Sequence, residues 1–190
     1  YTATVYNKGA EVIRMMATMA GPDRFRARTD LYFDRHDGEA ATCEDFVRAI
    51  EDGAGLDLAR FRLWYSQAGT PRVTARMTHE AATGEATLHL TQMVPPTPGQ
   101  PEKAPMPLPL RIAAHDPANN APGPEQLHML DAASAVVPLG RFATRPMLSF
   151  NRGFSAPIIA DVERAAGELA WLAAHDDDPF ARYEALQQLM

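Results

Sequence analysis

Hydrophobic positions near the start of the chain recur with the period of an α-helix. Val5, Val12, Ile13 and Met16 are separated by three, four and seven residues, which predicts one apolar stripe along a helix. Gly9 lies inside this pattern, where a glycine costs about 1 kcal/mol relative to alanine. We therefore expect another part of the protein to pack against Gly9 too closely for a Cβ atom.

Three further helices are predicted before Pro71, and each has a local start signal. Pro22 suits the first turn of a helix, because that turn leaves its N–H groups without intrahelical partners. Thr42 and Asp45 have the spacing of a capping box. Asp57 is the expected N-cap of the last of the three helices. The first part of the chain is therefore predicted to be helical.

Beyond Pro71 the hydrophobic period changes from about 3.6 to 2. Residues 72–78 and 86–92 alternate apolar and polar positions, and the turn residues 83–84 lie between them. Further short strands are predicted at 108–114, 127–130, 135–139 and 147–150. Short strands separated by turn signals are typical of a small antiparallel sandwich.

The helical period returns from Asp161 onwards, in two helices separated by residues 176–179. The sequence therefore predicts an α+β chain in three parts. Residues 1–71 are helical, residues 72–158 form an antiparallel Ig-like β-sandwich, and residues 159–190 are helical again.

Composition narrows the classes of function. The 190 residues are 46% hydrophobic and 22% charged, which is ordinary for a globular protein. The formal charge of −6 is spread along the chain, so no basic face for nucleic acid is expected. No apolar run reaches the ~18 residues of a membrane span, and no signal peptide is recognised. The single cysteine, Cys43, excludes an internal disulfide and allows a reducing compartment, so a cytoplasmic location is expected.

Complete catalytic motifs are missing from the sequence. His79-Glu-Ala-Ala-Thr83 begins like the zinc motif His-Glu-x-x-His, but Thr83 stands where the second imidazole is required. The remaining histidines have no metal-ligand spacing to each other: His36, His89, His115, His128 and His175. Cys43 has no neighbouring histidine, which favours a buried structural thiol over a nucleophile.

Two features leave alternatives open on the residues alone. Asp176–Asp178 is consistent with a cation site, although a solvated acidic loop that caps the last helix is the favoured interpretation. Tyr6 lies one turn before Gly9, and a tyrosine in that position is more often a core aromatic than a functional one.

Several segments resemble the zinc aminopeptidase N family in collinear order over the whole chain, and most closely its bacterial cytosolic type. Thr4-Val-Tyr-Asn-Lys-Gly-Ala-Glu-Val-Ile-Arg14 is similar to the Tyr-Glu-Lys-Gly helix of that family, with Asn7 where the family commonly has Glu. The other segments that carry the resemblance are Leu31 to Phe46, Trp64-Tyr-Ser-Gln-Ala-Gly-Thr-Pro71, Phe154-Ser-Ala-Pro157, and Phe180-Ala-Arg-Tyr-Glu-Ala-Leu-Gln187.

The resemblance implies that residues 1–71 are the helical end of a thermolysin-like catalytic domain and that residues 159–190 are the first helices of a C-terminal helical domain. It implies an enzyme that removes the N-terminal residue of peptides, acts as a monomer and holds zinc through two His and a Glu. Tyr6 matches the family's tyrosine that donates a hydrogen bond to the tetrahedral oxyanion. Tyr1 matches an aromatic position that helps to shape the substrate cavity. The zinc ligands and the general base are expected upstream of Tyr1.

Two hypotheses from different classes follow. In the first, the chain is a piece of a zinc aminopeptidase and is inactive alone. In the second, it is a non-catalytic module that uses the β-sandwich and the flanking helices for contacts with other proteins. The first is favoured, because a natural chain is not expected to begin inside an amphipathic helix.

Overall fold

A computed structural model describes residues 3–120 and 122–190, with the side chains of residues 3, 4 and 54 left out. The chain divides into two compact units, Tyr1–Gln67 and Ala68–Met190. The predicted α+β fold class, with helices before and after a β-sandwich, is confirmed. The division into three domains at 71/72 and 158/159 remains a prediction.

The first unit is helical. Its described elements are a π-helical turn (Ala3–Lys8), α1 (Gly9–Ala20), α2 (Pro22–His36), α3 (Cys43–Ala54), a 3-10 turn (Arg60–Arg62) and α4 (Leu63–Ser66). The Asp57 carboxylate accepts a hydrogen bond from the Ala59 N–H at 2.9 Å, as an N-terminal cap would. The helix expected there begins as a 3-10 turn, which is common at helix termini.

Two of the predicted helix starts are confirmed in detail. Pro22 occupies the first turn of α2. At the start of α3 the Asp45 N–H donates to Thr42 Oγ1 at 3.3 Å, and the Thr42 N–H donates to Asp45 Oδ2 at 2.9 Å. These reciprocal bonds satisfy two N–H groups that the first turn leaves unpaired.

The apolar stripe predicted for the first helix is only partly buried. Val12 and Met16 belong to the core of the helical unit, whereas Val5 and Ile13 are 50% and 41% exposed. The close packing expected at Gly9 is wrong for the described residues, because none of their atoms lies within 4 Å of the place that a Cβ on Gly9 would take.

The second unit holds two sheets followed by two helices. Its described strands are β1 (Arg72–His79), β2 (Glu85–Met93), β3 (Leu108–His115), β4 (Glu125–Leu130), β5 (Ser134–Arg141), β6 (Met147–Phe150) and β7 (Ile159–Val162). One sheet has the order β5-β2-β1-β7 and the other the order β4-β3-β6. A 3-10 turn (Arg152–Phe154) follows β6, and α5 (Ala166–His175) and α6 (Pro179–Leu189) end the chain.

The two sheets enclose one apolar core. Alternate residues of β1 and β2 are buried, as the period of two predicts, and β3 is shielded along most of its length. Gln92 of β2 is buried as well, and its side-chain amide donates to the carbonyl groups of Met106 and Leu130 at 2.9 and 3.1 Å. The buried amide therefore ties β2 to β4 of the other sheet and to the segment that precedes β3.

Strand β7 corrects the sequence prediction, which had no strand after Phe150 and expected only antiparallel pairing. Ile159–Val162 pairs with β1 in parallel, with Arg72 opposite Ile159. The strand has four residues, lies at a sheet edge and is mostly exposed. A short exposed strand carries no alternation of apolar and polar positions, so the hydrophobic period could not reveal it.

Candidate functional site

Tyr6 lies on the π-helical turn Ala3–Lys8, and its side chain is 65% exposed. The core-tyrosine interpretation therefore does not hold within the helical unit. Helices of the π type are rare and often occur at functional sites, since the extra residue displaces a side chain from the regular helical position. The turn thus presents a phenol hydroxyl at the surface of this unit. Tyr1, the predicted substrate-binding residue, lies outside the described residues.

Lys8 ends the same turn and is held against the helical core. Its Nζ atom lies 5.5 Å from the centre of the Trp64 ring, which is within the range of a cation–π contact. Trp64 belongs to α4 and is only 6% exposed. Burial lowers the pKa of the Lys8 ammonium group from its ordinary value.

A second polar cluster surrounds Arg152 in the β unit. Its guanidinium donates to Asp176 Oδ1 at 2.9 Å, to Asp177 Oδ1 at 2.7 Å and to Glu125 Oε2 at 2.8 Å. The side chain of Arg152 is 5% exposed and that of Asp176 is fully buried. The cluster connects the 3-10 turn after β6, strand β4 and the loop between α5 and α6.

His115 completes this cluster from the end of β3. The Gly123 N–H donates to His115 Nδ1 at 2.9 Å, and Arg152 Nη1 lies 3.2 Å from His115 Nε2. Nε2 lies 3.5 Å from Asp176 Oδ1. His115 is completely buried, and its ring orientation is set by the Gly123 N–H, the Arg152 guanidinium and the Asp176 carboxylate.

The structure corrects the expectation that Asp176–Asp178 is a solvated loop. Asp176 is buried, Asp177 pairs with Arg152, and only Asp178 acts as the predicted helix cap, accepting from the Ala181 N–H at 2.8 Å. Burial alone would raise the pKa of the Asp176 carboxyl. Hydrogen bonds from His115, Ser149 and the Asp178 backbone more than offset this effect and bring the pKa to about 2.

Because of this low pKa, the free energy of unfolding of the β unit should decrease at acidic pH. The pKa of Asp176 in the folded chain lies below the ~3.9 of an unfolded aspartate, so its stabilising contribution is complete above about pH 4. We expect the free energy of unfolding to fall by roughly 2 kcal/mol through this group as the pH drops from about 4 to about 2. Urea unfolding at several pH values measures the loss. In Asp176→Asn the dependence should be weaker by that amount, and an unchanged dependence would contradict the assignment.

The described residues do not fit a zinc ion. His115, Asp176 and Asp177 are close enough to hold a metal, but the positive guanidinium of Arg152 already pairs with both carboxylates. Both ring nitrogens of His115 already have partners, the Gly123 N–H at Nδ1 and the Arg152 guanidinium at Nε2. His79 ends a strand and contacts the Phe142 carbonyl oxygen at 3.0 Å, so the segment that resembles half of a zinc motif is not helical.

The prediction of a buried structural thiol is wrong, because Cys43 is exposed. It occupies the first residue of α3, where the side chain points away from the core that Val47 and Ile50 form. The pattern of apolar residues around Cys43 gave no indication of this, because a first-turn residue need not follow the buried stripe of its helix.

Sequence reasoning missed the cluster around Arg152 altogether. Its members lie on elements that are far apart in the chain, and the arginine itself follows a strand without any local motif. The run of three aspartates was the only signal in the sequence, and an acidic run is usually solvated.

Comparisons with known proteins give a match in the helical unit and another in the β unit. Residues 1–65 match the peptidase family M1 domain, and residues 69–163 match a domain of unknown function that has an Ig-like fold. The chain belongs to the aminopeptidase N family. The resemblance noted in the sequence is thereby confirmed.

Individual relatives of this family align over the complete chain. Aminopeptidase N of Escherichia coli is 39% identical and that of Caulobacter vibrioides 43% identical, each over 100% of the chain. The crystal structure of Legionella pneumophila aminopeptidase A in complex with aspartic acid superposes with a TM-score of 0.88 at 28% identity, over 100% of this chain and 21% of that one. The chain spans 23% and 22% of the length of the two aminopeptidases N.

The structure describes the helices of residues 3–120 and 122–190. None of the helices there combines the length and the apolar character needed to cross a bilayer.

Proposed function

We propose that these residues form part of a zinc-dependent aminopeptidase that hydrolyses the N-terminal residue from peptides, with Tyr6 as a catalytic residue. The observation that carries the proposal is the match of the whole chain to aminopeptidase N. Tyr6, which resembles the catalytic tyrosine of that family, lies on an exposed π-helical turn. A cytoplasmic, monomeric enzyme, as expected from the sequence, is part of the same proposal.

The role proposed for Tyr6 is electrostatic. When water adds to a peptide carbonyl, the carbonyl oxygen gains negative charge, and a donor aimed at that oxygen stabilises the transition state more than the substrate. The phenol hydroxyl of Tyr6 is a donor of this kind. Its exposure leaves the hydroxyl accessible to a substrate bound outside the helical unit.

The metal and the general base are proposed to lie in a part of the protein outside these 190 residues. Support comes from the poor fit of the described residues to zinc and from the small share of each relative that the chain spans. The reading frame that encodes the chain tests this proposal. It should contain a His-Glu-x-x-His motif with a downstream Glu, both ahead of Tyr1, and a frame without them would contradict it.

The purified 190-residue chain is therefore expected to bind no stoichiometric zinc and to cleave no aminoacyl anilide. A zinc site needs three or four ligands in tetrahedral geometry, and the residues around Arg152 cannot provide them. Metal analysis and an anilide assay measure both properties, with the full-length protein as the positive control. A content of about one zinc per chain would contradict this expectation, because it would require a set of zinc ligands within these residues.

A further inference from the structure

Lys8 connects the π-helical turn to the core of the helical unit. Among residues 5–8, only the side chain of Lys8 is partly buried, whereas Val5, Tyr6 and Asn7 are exposed. Its Nζ atom lies 5.5 Å from the centre of the Trp64 ring, and Trp64 itself is buried. The turn that carries Tyr6 is thus tied to the core by the residue two positions after the tyrosine.

The π-helical turn continues directly into α1, because Lys8 at the junction has helical backbone angles. Lys8 is the residue at the N-cap position of α1, and no side chain forms a capping hydrogen bond there. Gly9 follows, and glycine is the least restrained residue in a helix. A π-helical turn is also less stable than an α-helical one and persists where tertiary contacts hold it. The position of Tyr6 therefore depends on contacts such as that of Lys8 with Trp64.

We propose that Lys8 is a positioning residue, which holds the π-helical turn in place through the Trp64 ring so that the Tyr6 hydroxyl meets the reacting carbonyl oxygen. The inference rests on the proposed function of Tyr6. It assigns Lys8 no contact with the substrate. A donor misplaced by about 1 Å loses much of its effect on the transition state, so a contact that fixes the turn affects the rate.

The surroundings of Lys8 strengthen its contact with the ring. Burial lowers the pKa of its ammonium group because water is partly removed from it. A cation–π contact is stronger when the cation is partly desolvated, and tryptophan is the ring with the strongest attraction. A cation on a flexible stem that pairs with a buried indole restrains the backbone at the end of the turn.

The test uses the full-length protein and four single variants. Lys8→Met keeps the length of the side chain and removes the charge, and it should lower kcat about 3- to 30-fold with KM nearly unchanged. Lys8→Arg keeps a cation for the ring and should stay within about threefold of the parent kcat. Trp64→Phe keeps an aromatic ring with a weaker attraction, and its loss should be smaller than that of Lys8→Met. Arg26→Met removes an exposed cation that pairs with Asp30 on α2, and kcat should not change.

The Tyr6→Phe background separates a positioning role from a structural one. If Lys8 acts through the Tyr6 hydroxyl, Lys8→Met should cause little further loss once that hydroxyl is gone. An equal loss in both backgrounds, or an unchanged kcat in Lys8→Met, would overturn the role of Lys8 and leave the function of Tyr6 intact. If Tyr6→Phe itself leaves kcat unchanged, the proposed function fails first. Should Lys8→Met fail to fold, Trp64→Phe is compared in the same two backgrounds, with the same outcomes.

Discussion

In the full-length protein, Tyr6→Phe is expected to lower kcat by about 10²–10³-fold, with KM and zinc content nearly unchanged. Phenylalanine keeps the ring and removes only the hydroxyl, so the contacts of the ring are retained. A donor that acts mainly in the transition state contributes to kcat and to kcat/KM by the same factor. Steady-state kinetics and metal analysis of the variant measure these quantities.

Tyr183→Phe is the matched control for this variant. Tyr183 lies on α6, is 56% exposed, and loses the same hydroxyl from a comparable surface position. Its kcat should equal that of the parent protein. If Tyr6→Phe changes kcat by less than about threefold while the melting temperature falls, the hydroxyl serves folding by satisfying a polar partner, and the catalytic role is wrong.

The second large effect is expected on stability. Arg152→Met should lower the free energy of unfolding of the β unit by about 3–5 kcal/mol, because it leaves the buried Asp176 carboxylate without its cation. Asp176 loses its partner at 2.9 Å in a place that water does not reach. Urea unfolding of the 190-residue chain, followed by circular dichroism, measures the change.

Arg141→Met provides the control on the same unit. Arg141 pairs with Glu85 at 2.8 Å, but the two side chains are 73% and 55% exposed. Exposed ion pairs contribute about 0–1 kcal/mol, so this variant should be close to the parent protein. Equal effects of the two substitutions would contradict a special role for the buried cluster.

The parts of the fold that the sequence predicted correctly have local causes. Pro22 and the pair Thr42 and Asp45 mark helix starts because each signal acts within three or four residues. The strands up to Phe150 were predicted within a few residues, and β1 and β2 most clearly, because they bury alternate side chains and so carry the period of two.

The parts that the sequence did not predict depend on distant contacts. Strand β7 is held at the sheet edge by pairing with β1 and not by a pattern of its own. Asp176 is buried because Arg152, from a turn more than twenty residues earlier, compensates its charge. The run of three aspartates contains no local signal that could have indicated Arg152 as the partner of Asp176.

The candidate site was also predicted only in part. The identity of Tyr6 came from the resemblance to a family, since spacing alone favoured a core tyrosine. The π-helical turn could not be predicted, because the apolar spacing around it fits an ordinary α-helix equally well. The contact of Lys8 with Trp64 joins residues from the two ends of the helical unit, and it became visible only in the folded chain.

Tyr6 as an oxyanion donor is tested most directly by the affinity of the full-length protein for a phosphinic peptide that mimics the tetrahedral intermediate. A transition-state analogue gains from the same contacts that lower the barrier. We predict that Tyr6→Phe weakens the binding of this analogue by about the factor of 10²–10³ lost from kcat/KM, while a substrate-like ground-state inhibitor binds as before. An unchanged affinity for the analogue would contradict the account.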